Sequence, residues 1–265
     1  MRAVALASFV MSAVLVLPAR TPQASSPSAA VILAEARQAL GGETRLNAIH
    51  TFRITGRIVQ GNSRASNYGS FEFVAALPDK FSEIQEMRYA GSGQSASADI
   101  GTINPGSSLS VGFSAGLQNA RIGFDGPRVI FEPREPAPST NVAMANSLPI
   151  TTDRLARAQA VARADFVEIT LGLFAASFPG APVTFADAPS SSSRAVLVQG
   201  TRSGVLRFDV RTHLPASLDD LEYLDYRSVD GVQVPFRRRL RGTEWQVRDV
   251  KFDVPIPESA FRNAK

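Results

Sequence analysis

The chain has 265 residues, a formal net charge of +4 and no cysteine. Without cysteine it can form neither disulfides nor thiolate metal sites, and it offers no thiol for a lipoprotein anchor. Its positive charge is carried by dispersed arginines, which permits weak attraction to anionic surfaces but does not indicate a nucleic-acid partner.

The N-terminus has the pattern of an export signal. One arginine precedes an apolar run from Ala3 to Leu17, and a segment rich in proline, alanine and serine follows. The run is shorter than the roughly 20 residues that cross a bilayer, so it predicts a signal peptide rather than a membrane anchor. Cleavage after Ala24 gives a signal peptide over residues 1–24, and cleavage after Ala19 is the alternative. We expect residues 25–265 to form a single domain that is periplasmic or secreted.

The next segments predict a helix and then a strand. Apolar residues recur at helical spacing in "AAVILAEARQALGG", and the helix should end at Gly41-Gly42 because glycine readily adopts the left-handed conformation. A short second turn is expected around Arg45 to Ile49. Alternation of apolar and polar residues in "TFRITGRIVQG" then predicts a half-buried strand.

Two hairpins and two loops are predicted further along the chain. In "SFEFVAALPDKFSEIQEM" the break at Leu77-Pro78-Asp79 separates two antiparallel strands, and "ARIGFDGPRVIF" contains a turn between apolar flanks. Residues 91–120 are rich in glycine, serine and alanine, and residues 132–149 in proline, alanine, serine and asparagine. Both segments are expected to be long loops.

One long helix is expected in the middle of the chain. The pattern runs from Thr152 to Phe178, and Pro179-Gly180 should end it. From Ala195 onward, short alternating segments are separated by turn residues. That spacing predicts an antiparallel meander instead of parallel β-α-β units.

The stretch "SVDGVQVPFRRRLRG" places four arginines directly after an Asp-Gly turn. If 230–231 are the central residues of a type I′ hairpin, Glu222 lies opposite Arg239 and Asp220 lies opposite Arg241. These opposite charges would then pair across the strands on an outer, mostly polar face.

The same register assigns the other residues of the hairpin to faces. The outer face also receives Tyr226 and Pro235, and the apolar face receives Asp225, Arg227 and Arg238. A charge on an apolar face is costly unless it is paired. Arg238 therefore either pairs with its diagonal neighbour Asp225 or meets the head group of a ligand.

Catalytic motifs are present in outline but lack their structural context. "GFSAG", around Ser114, matches a nucleophile elbow, yet the next strand begins too soon for the helix that should follow. His213 would complete the chain order of a triad, so a serine hydrolase stays the third alternative. "GSGQSA" lacks the helix of a dinucleotide site, and two isolated histidines predict no metal. We expect no catalytic residues and no cofactor.

Four fragments in a fixed order carry a family resemblance. They are "ALGGETRLNAIHTFRITG", "FDVRTHLP", "YRSVDGVQVPF" and the final "VPIPESAF". Together they resemble the periplasmic LolA-like family of outer-membrane lipoprotein-sorting carriers and their relatives. The resemblance implies a strongly curved antiparallel sheet, an unclosed half-barrel, with helices over its concave side and an apolar cavity between them. It implies no catalytic residues.

The residue patterns and the resemblance agree on an α+β fold, since alternating strands need helices to cover their apolar side. We expect one set of side chains on the concave face, as ligand contacts or as ordinary core. The set is Phe52, Ile54, Ile58, Phe71, Phe73, Leu206, Phe208, Val234, Phe236, Leu240 and Arg238.

This architecture leads to two hypotheses for a non-enzymatic function. The first hypothesis is a non-enzymatic periplasmic carrier that shelters an apolar ligand such as a lipid or lipoprotein acyl chain. The alternative is a structural or protein-interaction module of the cell envelope that has a filled core and meets an envelope protein.

Overall fold

A computed structural model describes residues 27–62, 65–88, 120–133, 150–179, 182–188 and 194–263. The predicted signal peptide, Ser114 and most of both predicted loops lie outside these residues. The first predicted loop ends too late, because Ala120 already begins a strand, and the second begins too early, because the preceding strand ends at Pro133.

Three α-helices and twelve strands make up the described chain. The helices are α1 (Ala29–Leu40), α2 (Glu43–Asn47) and α3 (Thr152–Phe174), and a 3₁₀ helix spans Glu258–Phe261. The strands are β1 (Thr51–Asn62), β2 (Ala65–Ala76), β3 (Lys80–Arg88), β4 (Ala120–Asp125), β5 (Arg128–Pro133), β6 (Val183–Asp187), β7 (Ala195–Gly200), β8 (Gly204–Phe208), β9 (Pro215–Leu218), β10 (Leu221–Val229), β11 (Val232–Leu240) and β12 (Thr243–Phe252).

All twelve strands form one antiparallel sheet. Its order is β5-β4-β3-β2-β1-β12-β11-β10-β9-β8-β7-β6, so the first and last strands of the chain meet as β1 and β12 in the middle. Within the described residues the edge strands β5 and β6 do not pair with each other. The predicted class, an α+β fold built on an unclosed antiparallel half-barrel, is confirmed. β6 was not predicted.

The predicted N-terminal helix is confirmed and ends beside the Asp-Gly hairpin. Gly41 has φ 146°, and its N–H donates to the carbonyl oxygen of Arg37. A Cβ at Gly41 would lie 2.6 Å from the carbonyl oxygen of Gly231. Glycine is therefore needed both for the backbone angle and for the close approach of α1 to the turn between β10 and β11.

The long helix starts as predicted and ends earlier. Thr151 caps it, since its side-chain oxygen accepts from the N–H of Arg154. The prediction that the helix reaches Phe178 is wrong, because Ala175 takes the left-handed conformation at φ 46°. The chain turns there, and the ring of Phe178 packs back against those of Phe166 and Phe174.

The β10–β11 register is confirmed, but the assignment of faces is wrong beyond Asp225. Glu222 lies opposite Arg239 and Val229 opposite Val232. Asp225, however, has φ 55°, and the alternation changes there. Asp225 and Arg227 are exposed instead of facing the apolar side, whereas Pro235 is buried and Tyr226 is half-buried.

Candidate functional site

The candidate site is the interior between α3 and the sheet. In its second half α3 is buried on every side, including its charged residues. A helix surrounded in this way is part of the core and is not a surface cover. The buried run comprises Ala164, Asp165, Phe166, Val167, Glu168, Ile169, Thr170, Leu171, Gly172, Leu173 and Phe174.

Aromatic rings form a continuous path from the sheet to the helix. The ring centroids of Phe81 and Phe166 are 5.4 Å apart, and Phe166 also lies 5.4 Å from Phe124 in an edge-on contact. Phe174, at the end of the helix, lies 6.3 Å from Phe52 on β1. Such contacts add to the stabilisation from burial alone.

The predicted concave positions come together in this interior. Nine of them are buried in one cluster: Phe52, Ile54, Ile58, Phe71, Phe73, Leu206, Phe208, Val234 and Leu240. Phe236 is half-buried and packs against the cluster, under the guanidinium of the exposed Arg227. Arg238 is buried as well. The described side chains are packed against one another, so a ligand at these positions would need the helix and the sheet to separate.

Two tyrosines of β10 attach the sheet to the helix backbone. The hydroxyl of Tyr223 donates to the carbonyl oxygen of Glu168 at 2.7 Å. That of Tyr226 donates to the carbonyl oxygen of Pro215 at 2.9 Å and lies 3.3 Å from the carbonyl oxygen of Gly172. Strict alternation would put Tyr223 and Tyr226 on opposite faces. The left-handed conformation of Asp225 brings both to α3.

Gly172 allows the helix to approach β10 closely. A Cβ built on it would lie 2.7 Å from Cε1 of Tyr223, which is closer than side chains pack. Because the Tyr223 hydroxyl is held by the helix carbonyl, the ring cannot swing away without losing a buried hydrogen bond.

A group of charged side chains is enclosed at this helix–sheet contact. The interior charge cluster comprises Glu83 on β3, Asp165 and Glu168 on α3, Arg202 between β7 and β8, and Arg238 on β11. Charges are seldom buried unless they are paired or functional. Their pairing is therefore the informative feature of the site.

One half of the interior charge cluster is well paired. The Nε of Arg202 donates to Oε1 of Glu168 at 2.9 Å, and its Nη1 donates to the carbonyl oxygen of Ser203 at 2.6 Å. Asp219 lies 3.5 Å from the same guanidinium. Burial and the neighbouring Asp165 raise the pKa of Glu168 to about 7, although Arg202 opposes the shift.

The other half is a pair of carboxyl groups. The helix α3 contacts β3, and the enclosed side chains of Asp165 and Glu83 interact with each other across this contact. Burial, and then the Asp165 charge, raise the pKa of Glu83 well above its ordinary value. Burial also raises the pKa of Asp165. Among the described residues, no donor reaches Oε1 of Glu83 or Oδ2 of Asp165.

Arg238 does not form the ion pair that its diagonal position suggested. Its guanidinium lies over the rings of Phe73, at 5.1 Å, and Trp245, at 5.5 Å. Asp225 is paired with Arg227 at 2.6 Å on the exposed side. The predicted Arg238–Asp225 pair is therefore wrong, and the part of the chain that the structure describes gives Arg238 no carboxylate partner.

Sequence reasoning did not find Glu83, Asp165, Glu168 or Arg202. A signal for two of them was present, because Asp165 and Glu168 stand in a helical stretch that is otherwise apolar on all sides except for Thr170. Charges in such a stretch are expected to be buried. Glu83 and Arg202 carry no comparable local signal, since a strand glutamate and a loop arginine are usually solvated.

Two pockets are lined mainly by residues outside this interior. One, of about 250 Å³, lies between Arg53, Arg121 and the C-terminal segment around Pro257. The other, of about 380 Å³, adjoins it and reaches Gly56 and Arg248. Phe71 of the predicted set lines the second pocket. No helix among the described residues is both long and apolar enough to span a membrane.

No family model matches the chain, and no curated protein matches it either. Similar solved structures include a LolA superfamily protein from Nitrosomonas europaea, 10% identical at TM-score 0.40, which covers 89% of this chain and 98% of its own. A DUF1329 family protein from Desulfovibrio piger is 8% identical at TM-score 0.42, with coverages of 88% and 96%.

A third similar structure is described as an outer membrane lipoprotein-sorting protein domain, from Vibrio parahaemolyticus. It is 11% identical at TM-score 0.30 and covers 86% of this chain and 94% of its own. The family that the sequence fragments resemble thus occurs among the similar structures, at low identity. The fold class itself follows from the strand pairing of this chain.

Proposed function

We propose that this protein is a non-enzymatic carrier that shelters an apolar ligand, such as a lipid acyl chain, between α3 and the concave face of the sheet. The observation that carries the proposal is an apolar interior whose central helix is held partly by charged groups without full partners. A helix held in this way is easier to displace than one packed by apolar contacts alone.

The walls of the interior suit an acyl chain. Phenylalanine and aliphatic side chains cover the sheet side, and the same residue types cover α3. Each methylene that moves from water into such a space contributes about 0.8 kcal/mol, so part of a fatty chain suffices for useful binding. Export to the periplasm through the predicted signal peptide belongs to this proposal.

Arg238 is the proposed contact for the ligand's head group. It is buried beside Phe73 and Trp245 and has no carboxylate partner among the described residues. An anionic or carbonyl-bearing head would supply acceptors for its guanidinium donors. The acyl chain would then extend along the phenylalanine path.

The direct test is native mass spectrometry and lipid extraction of the protein purified from its own host. We expect a bound lipid at a defined stoichiometry. Repeated recovery of ligand-free protein, together with no binding of a fluorescent fatty acid, would overturn the proposal.

Variants on one strand locate the site. Phe73→Ala should raise the dissociation constant of a fluorescent fatty acid at least several-fold, because Phe73 is enclosed in the interior that would contact the acyl chain. Tyr68→Ala is the matched control, since Tyr68 is exposed on the same strand. Arg238→Met should weaken the binding of a fatty acid more than the binding of the corresponding fatty alcohol. Equal losses of affinity for the two ligands would contradict the head-group role of Arg238.

A second function is favoured by the packed interior. Phe52, Ile58 and Leu206 are fully enclosed, as in a permanent core. The protein would then serve as an envelope interaction module. Capture of one defined protein from envelope extracts, lost on trimming within 91–119 or 134–149 while lipid binding is absent, would select this function.

A further inference from the structure

A pair of carboxyl groups joins the central helix to the sheet. Glu83 comes from β3 and Asp165 from α3, which contact each other, and both side chains are buried, each with one oxygen that no donor from the described residues reaches. If both were ionised, like charges would face each other inside the protein, and two buried oxygens would have no donor. One proton held between the carboxyls removes the repulsion and supplies the missing donor.

We propose that Glu83 and Asp165 form a proton-dependent latch, in which one shared proton holds α3 on the sheet and loss of that proton releases the helix. This latch deepens the proposed carrier function, because opening the interior requires α3 to move. It can be tested without any ligand.

The surroundings of the pair explain why a proton is needed. From β11, Arg238 attracts both carboxylates, but it forms no ion pair with either. From α3 itself, Glu168 adds a further negative charge, and Arg202 is already committed to it. Three acidic groups therefore face two arginines.

Neutral groups complete the surroundings of Glu83. Gln85 donates from its Nε2 to Oε2 of Glu83 at 3.2 Å, and Trp245 donates from its Nε1 to Oε1 of Gln85 at 3.3 Å. On β10, the hydroxyl of Tyr223 donates to the carbonyl oxygen of Glu168. Burial raises the pKa of Tyr223, so it stays neutral.

The sign of the pH dependence follows from the raised pKa of Glu83. The closed state keeps its proton above the pH at which an exposed glutamate ionises, whereas the opened state loses it. Opening therefore releases protons and becomes more favourable as pH rises. Each released proton increases the opening equilibrium about tenfold per pH unit, up to the pKa of the closed state.

Hydrogen exchange on the ligand-free full chain measures this opening. Amides of α3 are followed between pH 5 and pH 8, with rates corrected for intrinsic exchange. We expect the opening constant to rise at least about tenfold per pH unit. Trp245, the sole tryptophan of the chain, should become more accessible to acrylamide over the same range, because it is hydrogen-bonded to Gln85.

Conservative variants separate the latch from general stability. Glutamine resembles a protonated glutamic acid, so in Glu83→Gln the opening constant of α3 should rise about tenfold less per pH unit than in wild type. Asp165→Asn provides a second test if Glu83→Gln folds poorly. Glu222→Gln, on the outer face, should keep the wild-type slope. Equal slopes in wild type and both interior variants would overturn the latch.

The two proposals fail in different ways. A pH-dependent opening of α3 in a protein that binds no lipid would leave the latch standing and reject the carrier function. Lipid binding with an opening constant that does not change with pH would reject the latch alone.

Discussion

The outer face of β10–β12 and the interior beneath α3 both bring arginines together with carboxylates. On the outer face Arg239 pairs with Glu222 at 2.6 Å, and Arg237 pairs with Glu244 at 2.8 Å, with water reaching the side chains. In the interior, Arg202 and Glu168 are paired out of contact with solvent. The residue types are the same in the two regions.

Burial changes what these pairs do. On the surface, water solvates each partner, so forming or breaking a pair changes the free energy of unfolding little. In the interior, solvent cannot compensate, so a missing partner either destabilises the protein or shifts the pKa of the remaining group. The outer pairs are thus replaceable, whereas the interior charge cluster couples the position of α3 to protonation.

Breaking the interior ion pair between Arg202 and Glu168 should have the largest effect on the free energy of unfolding. Arg202→Met leaves the carboxylate of Glu168 buried without its Nε donor. We expect the free energy of unfolding to fall by about 3 to 5 kcal/mol at pH 8 in urea denaturation. The loss should be smaller at pH 5.5, where Glu168 is neutral. Adding Glu168→Leu should restore part of the stability, and a loss that does not depend on pH would contradict this account.

The pH dependence of stability isolates Glu168 itself. Because its pKa is raised from 4.5 to about 7, the stability it contributes is complete below pH 4.5 and is lost as pH rises towards 7. As pH rises over this range, the free energy of unfolding of Glu168→Gln should therefore increase relative to that of wild type by about 1 to 3 kcal/mol. Denaturation curves at pH 4.5 and pH 8 measure the change. A constant difference between the two proteins would show that Glu168 does not titrate there.

The close contact between α3 and β10 predicts an intermediate effect. Gly172→Ala places a methyl group against the fixed ring of Tyr223, and we expect a loss of about 1 to 3 kcal/mol despite the better helix propensity of alanine. Gly242→Ala is the matched control, because a Cβ there would meet no atom within 4 Å. Equal thermal midpoints for the two variants would exclude overpacking at Gly172.

Removing an outer pair should give the smallest effect. Arg239→Ala breaks the contact with Glu222, but both side chains are about half-exposed, at 50% and 41%. The change in urea midpoint should be smaller than for Gly172→Ala and should shrink further in high salt. A loss as large as that of Arg202→Met would remove the distinction between the two regions.

Much of the fold could be predicted because its signals are local. The Asp-Gly turn sets the β10–β11 register, and Gly41 stops α1, since each depends on the backbone preferences of one or two residues. Alternation in β1 identified Phe52, Ile54 and Ile58 as inward-facing, and all three are buried. Whether these residues bind a ligand stays a prediction.

The sequence by itself determined most of the strands, though not β6, the apolar face of β1, and the Glu222–Arg239 and Asp220–Arg241 pairs, because neighbours along the chain or across one hairpin encode them. The tertiary structure decided how deeply α3 is enclosed, which faces Tyr226 and Arg227 take, and that Glu83 meets Asp165. Those contacts join segments far apart in the chain, and no local pattern specifies the burial that gives them their chemistry.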